Sequence, residues 1–121
     1  MNHAEVDNFA NEGARQYLEV LAAKLVATIN EICVDDERLS LDEDGESMFM
    51  PSVELLALLC ERYGIKPPKP SVVLQWQHKY LGVYDRDIAS FNPDEHFQVE
   101  RRKVIESTFR WLMSLAESYW N

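Results

Sequence analysis

The chain has 121 residues, enough for one domain whose core needs no disulfide or metal staple. An apolar share of 46% with 27% charged residues is ordinary globular composition, which argues against disorder, and no apolar run approaches the roughly 20 residues that span a bilayer. The formal charge of −9 argues against direct binding to nucleic acid or to an anionic membrane.

The N-terminus, Met1-Asn2-His3-Ala4-Glu5-Val6-Asp7, shows no basic region followed by an apolar run, so no signal peptide is expected and the chain is placed in the cytoplasm. Ala14, Tyr17, Leu18, Leu21, Leu25, Ile29 and Ile32 then recur at spacings of three and four, which predicts a first helix with these residues on one face. Asp7 or Asn8 is a candidate cap for an early turn, and Gly13 marks either a kink or the true start.

The periodicity fades after Cys33-Val34, where seven carboxylates crowd into twelve residues: Asp35, Asp36, Glu37, Asp42, Glu43, Asp44 and Glu46, relieved only by Arg38. That segment holds most of the net charge. Carboxylates are disfavoured at a helix C-terminus, so a loop with a turn at Asp44-Gly45, projecting into water, is expected.

A second helix is predicted from Ser52 to Tyr63. Val53, Leu56, Leu59, Cys60 and Tyr63 form its stripe, and Leu55 and Leu58 widen it into a helix apolar all round. Leu55 and Leu58 could belong either to the core or to a dimer seam. Gly64-Ile65 reads as a left-handed cap with a hydrophobic closing contact, and Lys66-Pro67-Pro68-Lys69-Pro70 as a stiff extended connector. Ser71 is the expected cap of a third helix that buries Val72, Val73, Trp76 and Tyr80 and ends at Gly82, with an irregular passage from Val83 to Phe91. Asn92-Pro93-Asp94-Glu95 carries a cap, a proline for the first helical position and two acids for the first turn. The last helix is expected to run to Tyr119, with Phe97, Val104, Thr108, Leu112, Leu115 and Tyr119 on one line and Ile105, Trp111 and Ala116 beside it. The expectation is one all-α domain over residues 1–121, a bundle of about four main helices with an acidic loop between the first and second.

Chemistry is poorly represented. Setting Gly45 at the obligatory sixth position of a calcium loop puts Ser40, Asp42 and Asp44 at positions one, three and five, but the twelfth, which needs a bidentate Glu, is Pro51. His3, His78 and His96 are far apart, and Cys33 and Cys60 have no paired spacing, so no metal or other cofactor is expected; the two thiols read as reduced core residues. No nucleophile elbow or phosphate loop occurs among four glycines, and Asp85-Arg86-Asp87 reads as turn and cap chemistry, so no enzyme is indicated. Arg101-Arg102-Lys103 is the only basic run, and Glu95, Glu100 and Glu106 on the same helix are expected to neutralise it through pairs such as Arg102–Glu106.

A concentrated acidic segment without catalytic residues points towards binding. A focused negative patch speeds encounter with basic partners, and aromatic residues beside a charged rim are the usual energetic anchors. Tyr84 and Trp120, where the helical periodicity lapses, are the candidate anchors beside the seven carboxylates, although Trp120 could equally fold back to close the bundle. In size, charge and absence of catalytic motifs the chain is similar in character to small acidic helical immunity proteins that neutralise secreted bacterial nucleases, an analogy carried by no shared motif. The expected partner is therefore a basic protein of the nuclease-toxin kind. Three alternatives stand beside it: a DNA-mimic anti-defence protein, a helical regulatory or structural module with a merely solvating loop, and a ligand-binding bundle or enzyme with a pocket among Cys60, Trp76, His78 and Tyr80.

Overall fold

The computed structural model describes residues 6–121; the leader reading of residues 1–5, and His3 with it, lies outside the described residues. Among the described residues the fold is carried by four α-helices, with no strand: α1 (Glu12–Cys33), α2 (Met50–Tyr63), α3 (Pro70–Phe91) and α4 (Glu95–Trp120). A π-helical turn, Gly45–Phe49, leads straight into α2. Among the described residues no helix is long and apolar enough to cross a membrane.

Asn11 caps α1, its Oδ1 accepting the backbone N–H of Ala14 at 2.7 Å, while the Asp7 side chain serves only a turn ahead of it, accepting from Phe9 N. Leu18, Ala22, Ile29, Ile32 and Cys33 are buried and Leu21 and Leu25 half-buried. Tyr17, expected on that face, is 61% exposed, because a step of one residue turns a side chain about 100° around the helix.

Helix α2 begins at Met50, two residues before the expected Ser52, since the π turn already sets its axis. Met50, Val53, Leu56, Ala57 and Cys60 are buried, but Leu55 and Leu58 are 51% and 44% exposed, so α2 buries one face rather than its whole circumference. Its end follows expectation: Gly64 adopts φ 68°, donates its N–H to Cys60 O at 3.0 Å, and lets Ile65 return to the core. Residues 64–69 run without helix to Pro70, the first helical residue of α3. The cap is therefore Lys69, whose carbonyl takes the N–H groups of Val72 and Val73, and not Ser71.

Helix α3 does not stop at Gly82. Its buried line Val73, Trp76, Tyr80, Val83, Tyr84, Ile88 keeps helical spacing straight through the glycine. A glycine inside a helix costs about 1 kcal/mol, against about 1.5–3 kcal/mol for each large apolar side chain buried beyond it, and burial wins. Asp94 rather than Asn92 caps α4, accepting from His96 N and Phe97 N, while Asn92 supports the link by accepting Asp94 N. The buried line of α4 is Ile105, Thr108, Phe109, Leu112 and Ala116. Thr108 and Leu112 are shared with the expected line, but Phe97, Val104 and Tyr119 are exposed, because apolar residues flank both candidate lines and only packing chooses between them.

The π turn, α3 and α4 meet on an aromatic centre. Phe49 stacks on Tyr80, ring centroids 5.1 Å apart, and tilts against Phe109 at 6.4 Å. The Trp76 indole N–H donates to Asn30 Oδ1 at 2.9 Å, tying α3 to α1. Cys33 and Cys60 are buried and unpaired.

Candidate protein-docking surface

The acidic segment is not a loose excursion. Asp35 Oδ1 accepts the backbone N–H groups of Glu37 and Arg38, and Leu39 N donates to Asp35 O at 3.0 Å, which winds residues 35–39 into a tight turn. Leu39 plugs the core with no exposed surface. Asp44 N then donates to Arg38 O and Gly45 N to Ser40 O, folding the segment back on itself. At Gly45 the two strands of this fold nearly touch: a Cβ there would lie 2.3 Å from Leu39 O and 2.8 Å from Ser40 O. The turn expected at Asp44-Gly45 is thus a close backbone crossing that leads into the π turn.

This path divides the seven carboxylates. Glu46 points inward to a half-buried site. Arg101 Nε donates to its Oε1 at 2.9 Å, Arg101 Nη2 to its Oε2 at 2.7 Å, and the Tyr80 hydroxyl to Oε2 at 2.6 Å. Burial alone would raise the Glu46 carboxyl, but the hydrogen bonds from Arg101 and Tyr80 and the guanidinium charge outweigh it and hold the group below the usual carboxylate range. Burial, with the Glu46 carboxylate beside it, pushes the Tyr80 phenol up, so it remains a donor. Asp44 is held by Arg38 Nε at 2.9 Å, and Asp36 accepts from Lys79 Nζ at 3.0 Å. Glu37, Asp42 and Glu43 are exposed and make no ion pair among the described residues.

Of the expected docking carboxylates, Asp35, Asp44 and Glu46 are engaged in the loop's own fastening. Tyr84 is 1% exposed in the continuous α3, and its hydroxyl donates to Gln98 O at 2.6 Å, a tie between α3 and α4. Trp120 closes the bundle. Its indole N–H donates to Pro67 O at 3.0 Å, and the ammonium groups of Lys66 and Lys69 lie 4.6 and 5.4 Å from its ring, so the C-terminus is pinned to the connector.

What remains is a shallow depression of about 430 Å³ rimmed by Asp36, Glu37, Ser40, Asp42, Glu43 and Arg86. Ser40 Oγ donates to Asp42 Oδ1 at 2.6 Å, and Arg86, on the same rim, forms a two-bonded pair with Asp87 at 2.8 Å. Neither Ser40 nor Arg86 is legible as a rim residue from sequence, since α3 was expected to end before Arg86 reaches the loop. Asp85-Arg86-Asp87 is helical, not a turn, and Asp85 pairs across to Arg102 of α4 at 2.8 Å. The basic run is consumed in this way: Arg101 by Glu46, Arg102 by Asp85 and by the expected Glu106, and Lys103 by Glu100.

The components of the suggested ligand pocket separate as well. Cys60, Trp76 and Tyr80 are buried in the core, while His78 is exposed beside a surface groove it shares with Leu74, Gln77 and Arg102. Among the described residues no three His, Cys, Asp or Glu side chains converge as a metal site requires. The chain matches no family model, no curated protein and no solved structure.

Proposed function

We propose that the chain is a protein-binding inhibitor, of the immunity-protein or antitoxin kind, which docks a basic nuclease-type toxin through the acidic depression. One observation carries the reading: the loop that displays Glu37, Asp42 and Glu43 is fastened by Leu39, Gly45, Asp44 and Glu46 before any partner arrives. A loop that merely solvates its charges needs no such fastening. A docking loop gains from it, because a partner then meets ordered carboxylates and little ordering entropy remains to be lost. The net charge of −9 adds long-range steering towards a basic surface. Carboxylates confined to one rim suit a compact basic patch better than the extended channel that a DNA mimic fills. In this reading the chain acts in the cytoplasm, where a nuclease toxin would meet its substrate.

The test compares wild type with a Glu37→Gln/Asp42→Asn/Glu43→Gln variant as bait for the products of neighbouring genes, at about 50 and about 500 mM salt. A basic nuclease held by wild type at low salt, inhibited by it, and released by the variant is the expected result. Equal retention and inhibition by both baits would remove the depression from the interface.

A further inference from the structure

We infer that the chain forms a two-fold symmetric homodimer through the leucine face shared by α1 and α2. Leu21, Leu25, Leu55, Leu58 and Leu59, with Lys24 and Thr28, line a depression of about 350 Å³ between these helices. Leu55 is 51% and Leu58 44% exposed, and Tyr17, one turn before Leu21 on α1, is 61% exposed. Arg15 Nη2 donates to Tyr63 O at 2.8 Å, so the start of α1 lies beside the end of α2 and the two helices run antiparallel along the whole face. The five leucines meet in one depression and form a contiguous apolar patch, whereas singly scattered exposed leucines are ordinary.

The charges around this face say what covers it. Elsewhere the surface of a −9 chain repels a second copy of itself. Here the balance is even. Lys24 stands in the depression, and Arg62 follows Leu58 by one turn on the same side of α2. Glu54 and Glu61 bracket Leu58 one turn before and after it. Among the described residues none of these four has an ion-pair partner, although Arg62 Nε donates to the Tyr63 hydroxyl at 3.1 Å and Glu54 also borders the groove between α2 and α4. An isologous contact repeats the patch on both sides of the axis, so leucines meet leucines at the centre while Lys24 and Arg62 of each copy meet Glu54 and Glu61 of the other at the rim. A foreign basic partner, suited to the acidic depression, would find no negative surplus here. The face shares no residue with that depression, so the dimer stands or falls independently of the proposed inhibitor role.

Sedimentation equilibrium of the full chain from about 1 to about 300 μM reads the dimer directly, with dissociation constants in this range being common for modest interfaces. A mass rising from 14.1 kDa towards twice that value is expected. Leu55→Ser/Leu58→Ser, which changes only exposed side chains, is expected to raise the dissociation constant at least about a hundredfold with an unaltered circular dichroism spectrum. Lys24→Glu is expected to weaken the dimer about tenfold, and adding Glu54→Lys and Glu61→Lys to it to restore the loss. A monomer at every wild-type concentration, or a dimer indifferent to the leucine changes, overturns the proposal. Failure of the reversed charges to restore association overturns the pairing of this face with itself.

Discussion

Arg101 and Glu46, 55 residues apart in the chain, meet in a two-bonded ion pair at 2.9 and 2.7 Å, with the Tyr80 hydroxyl as a third ligand on the carboxylate. The pair joins α4 to the entrance of α2, and through Tyr80 to α3. Both side chains are about a quarter to a third exposed, 24% for Arg101 and 30% for Glu46, so the interaction is worth more than a surface pair and less than a buried one.

Arg101→Met would leave the Glu46 carboxylate half-buried with one donor. Such a break is expected to cost about 2 kcal/mol, read as a lowered urea midpoint with an unchanged slope. Replacing both members, Glu46→Gln with Arg101→Met, should recover part of that loss, because no unpaired charge is then left behind. A single-variant midpoint equal to wild type would show the pair to be idle.

The same carboxylate sets an acid limit. Its folded pKa lies below the ordinary value of 4.5, so its stabilisation is complete above that value and is lost as pH falls through the folded one. Asp85, held down by its hydrogen bonds from Arg102, acts in the same direction. Urea midpoints measured from pH 7 to pH 3 should fall on the acid side, and Glu46→Gln should flatten that fall while lowering stability at pH 7. An identical acid slope in wild type and variant would place the titrating group elsewhere.

Two glycines should respond in opposite directions to alanine. Gly45→Ala drives a Cβ to 2.3 Å from Leu39 O, a contact with backbone that no rotamer relieves, and should cost about 1–3 kcal/mol. Gly82→Ala meets nothing within 4 Å in the middle of α3 and should stabilise by about 0.5–1 kcal/mol. Thermal unfolding of the two variants beside wild type checks both signs.

Cys33 and Cys60 should be silent to a thiol reagent in the native state. Burial pushes both thiols up, Cys60 to about 11, which starves them of thiolate near neutral pH. Labelling of either at the rate of an unfolded control, with no denaturant present, would contradict their place in the core.

Local signals are legible where the physics is local. The Gly64-Ile65 cap can be read from the chain because a left-handed residue and its closing contact are adjacent in sequence. The faces of α1 and α4 are legible to within one step of the helix, and that step misplaces Tyr17, Phe97 and Val104 because apolar residues flank both candidate lines. The end of α3 is misread at Gly82 since the packing that overrides it comes from α4. The carboxylates show the limit most clearly. Asp42 and Glu46 are equivalent members of one acidic run, and only Arg101 and Tyr80, 55 and 34 residues away, make Glu46 structural while Asp42 stays on the rim. Tyr84 is hidden for the same reason: its acceptor, Gln98 O, belongs to another helix.

The crossing at Gly45 separates two duties within one short segment. The side chains that fix its course, Leu39 and Glu46, face the bundle with Gly45, while the outward Glu37 and Glu43 contribute only backbone bonds and the Asp42 carboxylate accepts only from Ser40 Oγ. The outward positions can therefore change identity freely, at a cost within about 0.5 kcal/mol each, while the scaffold beneath them keeps its shape. If the proposed docking role holds, recognition is rewritten at three positions without renegotiating the fold.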